Sequence, residues 1–218
     1  MVAVRSGHLD VCETFTSIQG EGSHAGLPCF FIRLAGCNLR CAYCDTTYAY
    51  KGGIRKRVEE LVREWMESRV RYVLLTGGEP LIQEPVYTLM EQLISKGAIC
   101  LLETNGSISL ARVPKAVKKV VDWKTPGSGH EKSFLIKNLR YIGVTDEIKF
   151  VITSREDYIW SSQIIVSKLL WLYTNVILSP CYGRIVPAEL AEWMLKDRLN
   201  VRLQLQLHKV IWGEKRGV

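Results

Sequence analysis

Short apolar runs typical of β-strands recur along almost the whole chain and alternate with segments of helical periodicity. Strands are predicted at Val11–Phe15, Cys29–Leu34, Tyr72–Leu75, Ala98–Leu102, Lys119–Trp123, Glu147–Ile152, Asn175–Leu178 and Val201–Leu205. Helices are predicted at Val58–Arg69, Val86–Lys96, Arg155–Leu170 and Pro187–Leu195. Because strands that alternate with helices of this length are typical of parallel βαβ units, the pattern predicts an α/β fold.

The length of the chain limits which parallel fold it can form. A complete eightfold β/α barrel takes ~250 residues, whereas this chain has 218. We therefore expect a partial, incomplete TIM-like β/α barrel of about six βα units. Because no repeat, low-complexity tract or linker divides the sequence, residues 1–218 are expected to form a single domain. Within it, residues 1–27 would supply an N-terminal strand and loop, and residues 206–218 a C-terminal tail.

Composition narrows the class of protein further. Apolar residues make up 47% of the chain and charged residues 23%, which is enough for a large core. The net charge is +7, with a basic excess from Arg112 to Arg140 that suits a nucleic acid or an anionic small molecule, although most such faces are simply solvated. Seven cysteines, an odd number, and no signal peptide or membrane-spanning stretch predict a cytoplasmic protein with reduced thiols and no membrane partner. A direct nucleic-acid partner is not expected either.

Three cysteines lie within eight residues directly after the second predicted strand. Cys37, Cys41 and Cys44 have the spacing C-x3-C-x2-C, with Tyr43 before the last cysteine. Thiolates are ligands of iron–sulfur clusters and of zinc. Three thiolates leave one metal position open, which in a 4Fe–4S cluster can bind a small chelating molecule. A structural zinc site needs a fourth ligand, from Cys29, His24 or a remote residue, and a cluster of inert buried cysteines is a weaker alternative.

Polar motifs also follow the later strands, where ligands of parallel sheets bind. Thr76 is followed by Gly77-Gly78-Glu79-Pro80, in which glycines allow a ligand close to the backbone and a carboxylate can pair with an ammonium group. An ordinary strand-to-helix turn is the alternative. The further strand-end candidates are Asn105, which an Asn-Gly turn explains equally well, and Asp122, Trp123, Lys124 and Ser179.

The cysteine loop and the Gly-Gly-Glu-Pro turn together resemble the radical S-adenosylmethionine (SAM) superfamily. The resemblance implies that the three cysteines ligate a 4Fe–4S cluster whose remaining iron is chelated by SAM. One-electron reduction by a flavodoxin- or ferredoxin-type partner would then cleave SAM to methionine and a 5′-deoxyadenosyl radical, so no side-chain acid or base is expected. The SAM contacts implied are Tyr43, Cys44, Asp45, Gly77, Gly78, Glu79, Asn105, Asp122, Trp123, Lys124 and Ser179.

Four further segments narrow the resemblance. Ser17–Gly22 (S-I-Q-G-E-G), Phe31–Arg33 (F-I-R), Asp45-Thr46 after the last cysteine and the C-terminal 202–209 resemble the 7-carboxy-7-deazaguanine synthase family. The resemblance runs from about residue 13 to residue 212 in the family's order. One departure is Asp122, where many relatives have serine.

This narrower resemblance implies a substrate, a reaction and a metal. The substrate would be 6-carboxy-5,6,7,8-tetrahydropterin, whose carboxylate Arg33 can clamp with its planar fork. The radical would abstract hydrogen from C6, and the ring would contract with loss of ammonia, in queuosine or archaeosine biosynthesis. Magnesium would bind at Thr46, and the enzyme would be a homodimer. The substrate contacts implied are Ile18, Gln19, Gly20, Glu21, Arg33, Thr76 and His208.

Two other functions share part of this pattern. An activase that installs a glycyl radical on a partner protein has the cysteine loop but does not need Gln19, Arg33 and Thr46 together. A non-catalytic zinc-binding RNA module accounts for the +7 charge and the cysteine triplet, but the chain lacks the interleaving of aromatic and basic residues such modules show. Metal content separates the zinc module from the two cluster-containing enzymes, since a cluster gives about four irons per chain and a module one zinc.

Overall fold

The computed structural model describes residues 7–218, so the first six residues of the predicted N-terminal segment 1–27 lie outside the described part. The strands are β1 (His8–Ile18), β2 (Pro28–Leu34), β3 (Ile54–Arg57), β4 (Tyr72–Gly77), β5 (Ile99–Thr104), β6 (Lys118–Asp122), β7 (Glu147–Ile152), β8 (Asn175–Pro180) and β9 (Arg202–Leu203). The helices are α1 (Val58–Ser68), α2 (Val86–Ser95), α3 (Arg155–Ser167), α4 (Pro187–Lys196) and α5 (Leu207–Trp212).

All these strands belong to one sheet, with the order β3-β1-β2-β4-β5-β6-β7-β8-β9. From β2 to β9 every neighbouring pair is parallel, whereas β1 runs antiparallel to both β2 and β3. The expectation of an α/β fold with a mostly parallel sheet is therefore confirmed.

The two faces of the sheet differ in what they bury. On β4, Val73 and Leu75 pack into the main core with the helices, and Leu74 packs on the opposite, inner face in a small cluster with Phe31 and Leu101. This division follows from the alternation of side chains along a strand. Toward the carboxyl ends the inner face becomes polar, because Arg33, Thr76 and Glu103 follow Phe31, Leu74 and Leu101 two residues later. The inner face is thus apolar in the middle of the strands and polar at their carboxyl ends, where ligands of parallel sheets bind.

The alternation of strands and helices is less regular than predicted. Within residues 7–218, 3-10 turns but no α-helix join β5 to β6 and β6 to β7. The helix predicted to reach Leu170 ends at Ser167, because Leu169 adopts a left-handed conformation with φ 49°. The strand predicted over Val201–Leu205 is only Arg202–Leu203.

Two elements escaped prediction. The edge strand β3 has the sequence Ile-Arg-Lys-Arg, whose single apolar residue gives no strand pattern, and α5 has only six residues. None of the helices in the described chain is long and apolar enough to cross a bilayer.

Candidate active site

A cavity of about 500 Å³ lies at the carboxyl ends of the central parallel strands. Its wall includes the three clustered cysteines Cys37, Cys41 and Cys44. It also includes these predicted cofactor and metal residues: Tyr43, Asp45, Thr46, Gly77, Gly78, Asn105, Asp122 and Lys124. All the predicted substrate residues line the same cavity: Ile18, Gln19, Gly20, Glu21, Arg33, Thr76 and His208. The fold therefore brings together two sets of residues that the sequence had suggested separately.

The cysteine loop follows β2 and is held by backbone hydrogen bonds from other parts of the chain. Gly36 donates to the carbonyl of Ala49 at 2.8 Å, and Ala42 donates to the carbonyl of Ser128 at 3.1 Å. All three thiols are free and partly exposed. Burial raises the pKa of the Cys37 and Cys41 thiols, while the nearby Lys124 ammonium favours their thiolates.

The chemistry of these donors fits an iron–sulfur cluster. Three soft thiolates on one short loop beside an open cavity match the ligand set of such a cluster with one free position. Among residues 7–218 no three or more His, Cys, Asp and Glu side chains are grouped around the place of a single metal ion. The candidates for a fourth zinc ligand, His24 and Cys29, do not line the cavity.

The Gly-Gly-Glu turn docks directly on the cysteine loop. Gly78 donates to the carbonyl of Leu34 at 3.1 Å and Glu79 to that of Gly36 at 2.8 Å. A Cβ on Gly78 would lie 2.7 Å from the Cβ of Cys37, which is too close for any side chain, and Gly77 has a φ of 138°. Only glycine fits at these two positions, so the turn can pack its backbone directly against the end of β2 and the cysteine loop.

The Glu79 carboxylate is fully buried and does not line the cavity. It accepts hydrogen bonds from the Thr104 hydroxyl at 2.8 Å and from the backbone amides of Leu81 and Asn105 at 3.1 and 2.7 Å. Burial raises its pKa despite these donors. Glu79 fastens its turn to the end of β5 through Thr104 and Asn105.

Trp123 and Ser179 also lie off the cavity wall. Side chains alternate along the segment after β6, so Asp122 and Lys124 face the cavity while Trp123 stacks on Phe134 in the core, with ring centroids 3.8 Å apart. Ser179 is 2% exposed within β8.

Charged side chains form a chain from residues predicted to contact the cofactor to residues predicted to contact the substrate. The Asp122 carboxylate accepts a hydrogen bond from Lys124 at 2.9 Å and lies 3.6 Å from the Lys149 ammonium. Lys149 is in turn hydrogen-bonded to Glu21, whose other oxygen accepts a hydrogen bond from Gln206 at 2.9 Å. The second oxygen of Asp122 is buried and has no protein partner, so it can accept a hydrogen bond from a ligand.

Arg33 is anchored on one side and open on the other. Its Nε donates to Glu13 at 2.7 Å, and the Tyr48 hydroxyl donates to the same carboxylate oxygen at 3.0 Å. Within residues 7–218, Glu13 is the only group that forms an ion pair with Arg33. The two terminal nitrogens of the guanidinium are therefore available for a carboxylate ligand.

Two neutral polar groups, Gln19 and Thr76, are among the predicted substrate contacts. Gln19 is 2% exposed, and its Nε2 has no protein partner although it is buried. The Thr76 hydroxyl donates to Glu103 at 2.9 Å, and burial, then the nearby Glu21 carboxylate, raises the pKa of Glu103. An unpaired buried donor at the wall of a cavity is what a polar ligand would satisfy.

Thr46 and Asp45 lie at the rim where cofactor and substrate residues meet. The Thr46 hydroxyl donates to Asp45 at 2.8 Å. Burial opposes ionisation of Asp45, but Thr46, followed by Lys209 and His208, holds the pKa of this carboxyl below its usual range. An ionised carboxylate and a hydroxyl are oxygen donors that suit magnesium.

Sequence reasoning missed several residues of the wall, among them Glu103, Lys149, Tyr48 and Gln206. Two of them had a signal in the sequence. Glu103 and Lys149 are charged residues in predominantly apolar strands, Ile99–Thr104 and Glu147–Ile152, and buried charges of this kind are candidates for functional sites.

The fold and the cysteine-lined cavity define the class of the protein, a radical SAM enzyme. The sequence profile of the Radical SAM superfamily matches residues 31–124, which include the cysteine loop, the Gly-Gly-Glu turn and Lys124.

Similar proteins narrow the class. A 7-carboxy-7-deazaguanine synthase from Koribacter versatilis is 42% identical over 96% of this chain and 100% of its own length. One from Chlorobaculum tepidum is 40% identical over 96% and 97%. The crystal structure of QueE from Escherichia coli covers 92% of this chain and 95% of its own, with 25% identity and a TM-score of 0.73. The chain belongs to the 7-carboxy-7-deazaguanine synthase family, and this membership favours the first of the three hypotheses drawn from the sequence.

Proposed function

We propose that the chain converts 6-carboxy-5,6,7,8-tetrahydropterin to 7-carboxy-7-deazaguanine with loss of ammonia, in the biosynthesis of 7-deazapurines. The observation that carries the proposal is a single cavity whose wall holds both the three cysteines and the Ile18–Glu21 loop with Arg33. A radical generated beside the cysteines would meet a substrate bound at the loop and Arg33. The cavity volume, about 500 Å³, is typical of a small-molecule site.

Cys37, Cys41 and Cys44 would hold the 4Fe–4S cluster. When bound together, SAM and the reduced cluster would supply the 5′-deoxyadenosyl radical that takes hydrogen from C6 of the substrate. Gly77 and Gly78 pack closely against Leu34, Gly36 and Cys37 and line the cavity, so their backbone would lie beside the cofactor next to the cysteines. Near the cysteines, Lys124 can donate to a carboxylate or a ribose oxygen, and the unpaired oxygen of Asp122 can accept from a hydroxyl.

The pterin would be recognised by its carboxylate and its ring edge. The free nitrogens of Arg33 can clamp the carboxylate in two parallel hydrogen bonds. The buried Nε2 of Gln19 can donate to an oxygen or a ring nitrogen, and Glu103 can accept from an amino group. These groups differ in charge and direction, so together they fix one orientation of a flat ring.

Magnesium, a reductant and a partner subunit belong to the same proposal. Thr46, with substrate oxygens and waters, would complete an octahedral site for Mg²⁺. The reductant would be of flavodoxin or ferredoxin type, the enzyme a homodimer, and its location the cytoplasm, where thiols stay reduced. We also propose that residues 1–218 act as one domain, an incomplete β/α barrel of about six units, with 1–27 and 206–218 contributing to the substrate side.

Anaerobic reconstitution followed by a product assay tests the proposal. The wild-type protein should bind about four irons per chain and form 7-carboxy-7-deazaguanine from the pterin, faster with magnesium than without. Cys41→Ala should lose cluster and product together, whereas Cys12→Ala, away from the cavity wall, should keep both. A reconstituted protein that forms no 7-carboxy-7-deazaguanine would rule the proposed function out.

A further inference from the structure

The loop that carries Gln19 lies alongside the C-terminal segment 202–207, although the two are far apart in sequence. The backbone amide of Leu207 donates to the carbonyl of Gly20 at 3.0 Å. The side-chain amide of Gln206 donates to the Glu21 carboxylate at 2.9 Å. As the residue numbers fall along the C-terminal segment, those of the partners rise along the loop. The two segments therefore run antiparallel, like neighbouring strands.

Gln204 is the centre of this pairing. Its side-chain oxygen accepts from the Gly22 amide at 2.6 Å, and its side-chain nitrogen donates to the Gly22 carbonyl at 2.8 Å. A residue of an adjacent strand would make the same two hydrogen bonds with its backbone. The backbone of Gln204 is itself fixed to the sheet, since its amide donates to the carbonyl of Leu178 in β8 at 3.0 Å. The side chain thus connects the parallel sheet to the loop.

The other hydrogen bonds of the loop show which of its residues is held by Gln204. At its base, Gln19 exchanges backbone hydrogen bonds of 2.8 Å with Leu27 and Gly26. Near its tip, the amide of Ser23 donates to Glu147 of β7 at 2.7 Å. Gly22 lies between these points with a φ of 75°. Its carbonyl also accepts from the Ala25 amide at 3.2 Å, so among residues 7–218 Gln204 is the only hydrogen-bond partner of Gly22 from outside the loop.

We propose that Gln204 is a positioning residue for the substrate: by holding Gly22 it fixes the loop that presents Gln19 and Gly20 to the cavity. This inference rests on the proposed function, because it assigns the loop to the pterin and not to SAM. Gln204 itself does not line the cavity. Its effect therefore passes through the loop, and cofactor contacts at the cysteines and at Gly78 do not depend on it.

Gln204→Met is the test, because methionine has similar length but cannot form either hydrogen bond. In the reconstituted protein we expect hydrogen exchange at the Gly22 amide to accelerate about tenfold and the KM for the pterin to rise about tenfold. The KM for SAM, SAM cleavage without substrate and the iron content should match wild type. Gln163→Met is the matched control, since Gln163 is exposed on α3 and away from the cavity wall.

Gln204→Glu provides a second, graded measurement, which also serves if the methionine variant does not fold. It keeps an acceptor for the Gly22 amide and loses the donor to the Gly22 carbonyl, so its KM for the pterin should lie between those of wild type and Gln204→Met. A rise of both KM values together with a lower Tm would indicate a merely structural role and overturn the inference. Unchanged exchange and kinetic constants in both variants would also overturn it, while leaving the proposed function intact. A wild-type protein that gives no product overturns the proposed function instead.

Discussion

Glu13 accepts a hydrogen bond from the Nε of Arg33 at 2.7 Å, and the Arg33 guanidinium lies 5.9 Å from the ring centres of both Phe15 and Tyr48. The guanidinium is thus tied at one nitrogen and flanked by two aromatic rings. Arg33 lines the cavity, and within residues 7–218 its two remaining nitrogens have no ion-pair partner that would compete with the carboxylate of the proposed substrate.

Glu13→Leu should therefore weaken substrate binding, although Glu13 itself does not line the cavity. Loss of the acceptor frees Arg33 to rotate, so we expect the KM for the pterin to rise about tenfold, or roughly 1.4 kcal/mol, at unchanged KM for SAM. Glu13→Gln keeps an acceptor oxygen and should retain most of the affinity. Glu64 forms a similar ion pair with Lys56 at 2.6 Å away from the cavity, so Glu64→Leu should leave both KM values unchanged.

Thr46→Ala tests the magnesium site. Thr46 lies on the cavity wall, and among the described residues its hydroxyl bonds only to Asp45, so removal of the hydroxyl should leave the cluster in place. We expect the magnesium concentration for half-maximal product formation to rise, while the iron content stays that of wild type. Thr47→Ala, at an exposed neighbour, is the control. Wild-type behaviour of Thr46→Ala at limiting magnesium would show that the ion binds elsewhere.

Gly78→Ala should disrupt the cofactor side of the cavity. The added methyl group would lie 2.7 Å from the Cβ of Cys37, so the cysteine loop or the turn has to move. We expect a marked loss of iron after reconstitution and at least tenfold weaker SAM binding, by analogy with the cost of overpacking a tight site. Gly143→Ala introduces the same methyl group where nothing lies within 4 Å, and it should bind iron and SAM like wild type. Equal iron content in both variants would contradict the close docking of the two motifs.

The sequence predicted those parts of the site that depend on local pattern. The cysteine spacing, the Gly-Gly turn and the strand ends are local, and because parallel strands end at one edge of the sheet, their motifs meet there. Trp123 shows the limit of this reasoning, because a motif taken as one unit, Asp122–Lys124, alternates between cavity and core in the structure.

Other features depend on contacts between distant residues. The pairing of Thr76 with Glu103 follows from the register of β4 and β5, and that of Gly22 with Gln204 joins residues 182 positions apart. No local pattern specifies either contact. Likewise, the connections around β6 are long enough for helices but contain only 3-10 turns, so the expected regular alternation was wrong there.

The Glu21–Lys149 ion pair should make stability depend on pH. Burial opposes charge on both groups, but Lys149 holds the pKa of Glu21 below its usual range, and Glu21 with Asp122 raises the pKa of Lys149 well above its usual range. The contribution of Glu21 is present above the ordinary pKa of a glutamate and is lost as pH falls through the lowered value. That of Lys149 is present below the ordinary pKa of a lysine and is lost only as pH rises through the raised value. Both contributions are therefore complete at neutral pH.

Glu21→Gln should remove this contribution on the acidic side. It leaves the buried Lys149 ammonium without its closest counterion, and breaking a buried pair in this way costs roughly 3–5 kcal/mol in free energy of unfolding. We expect urea denaturation at pH 7 to show that loss, and the decline in stability as pH falls below the ordinary pKa of a glutamate, about 4.3, to be shallower than in wild type. The exposed pair Arg57–Glu60 provides the control, because solvent screens it, and Glu60→Gln should cost far less. Equal losses for the two variants would show that the buried pair contributes no more to stability than a surface one.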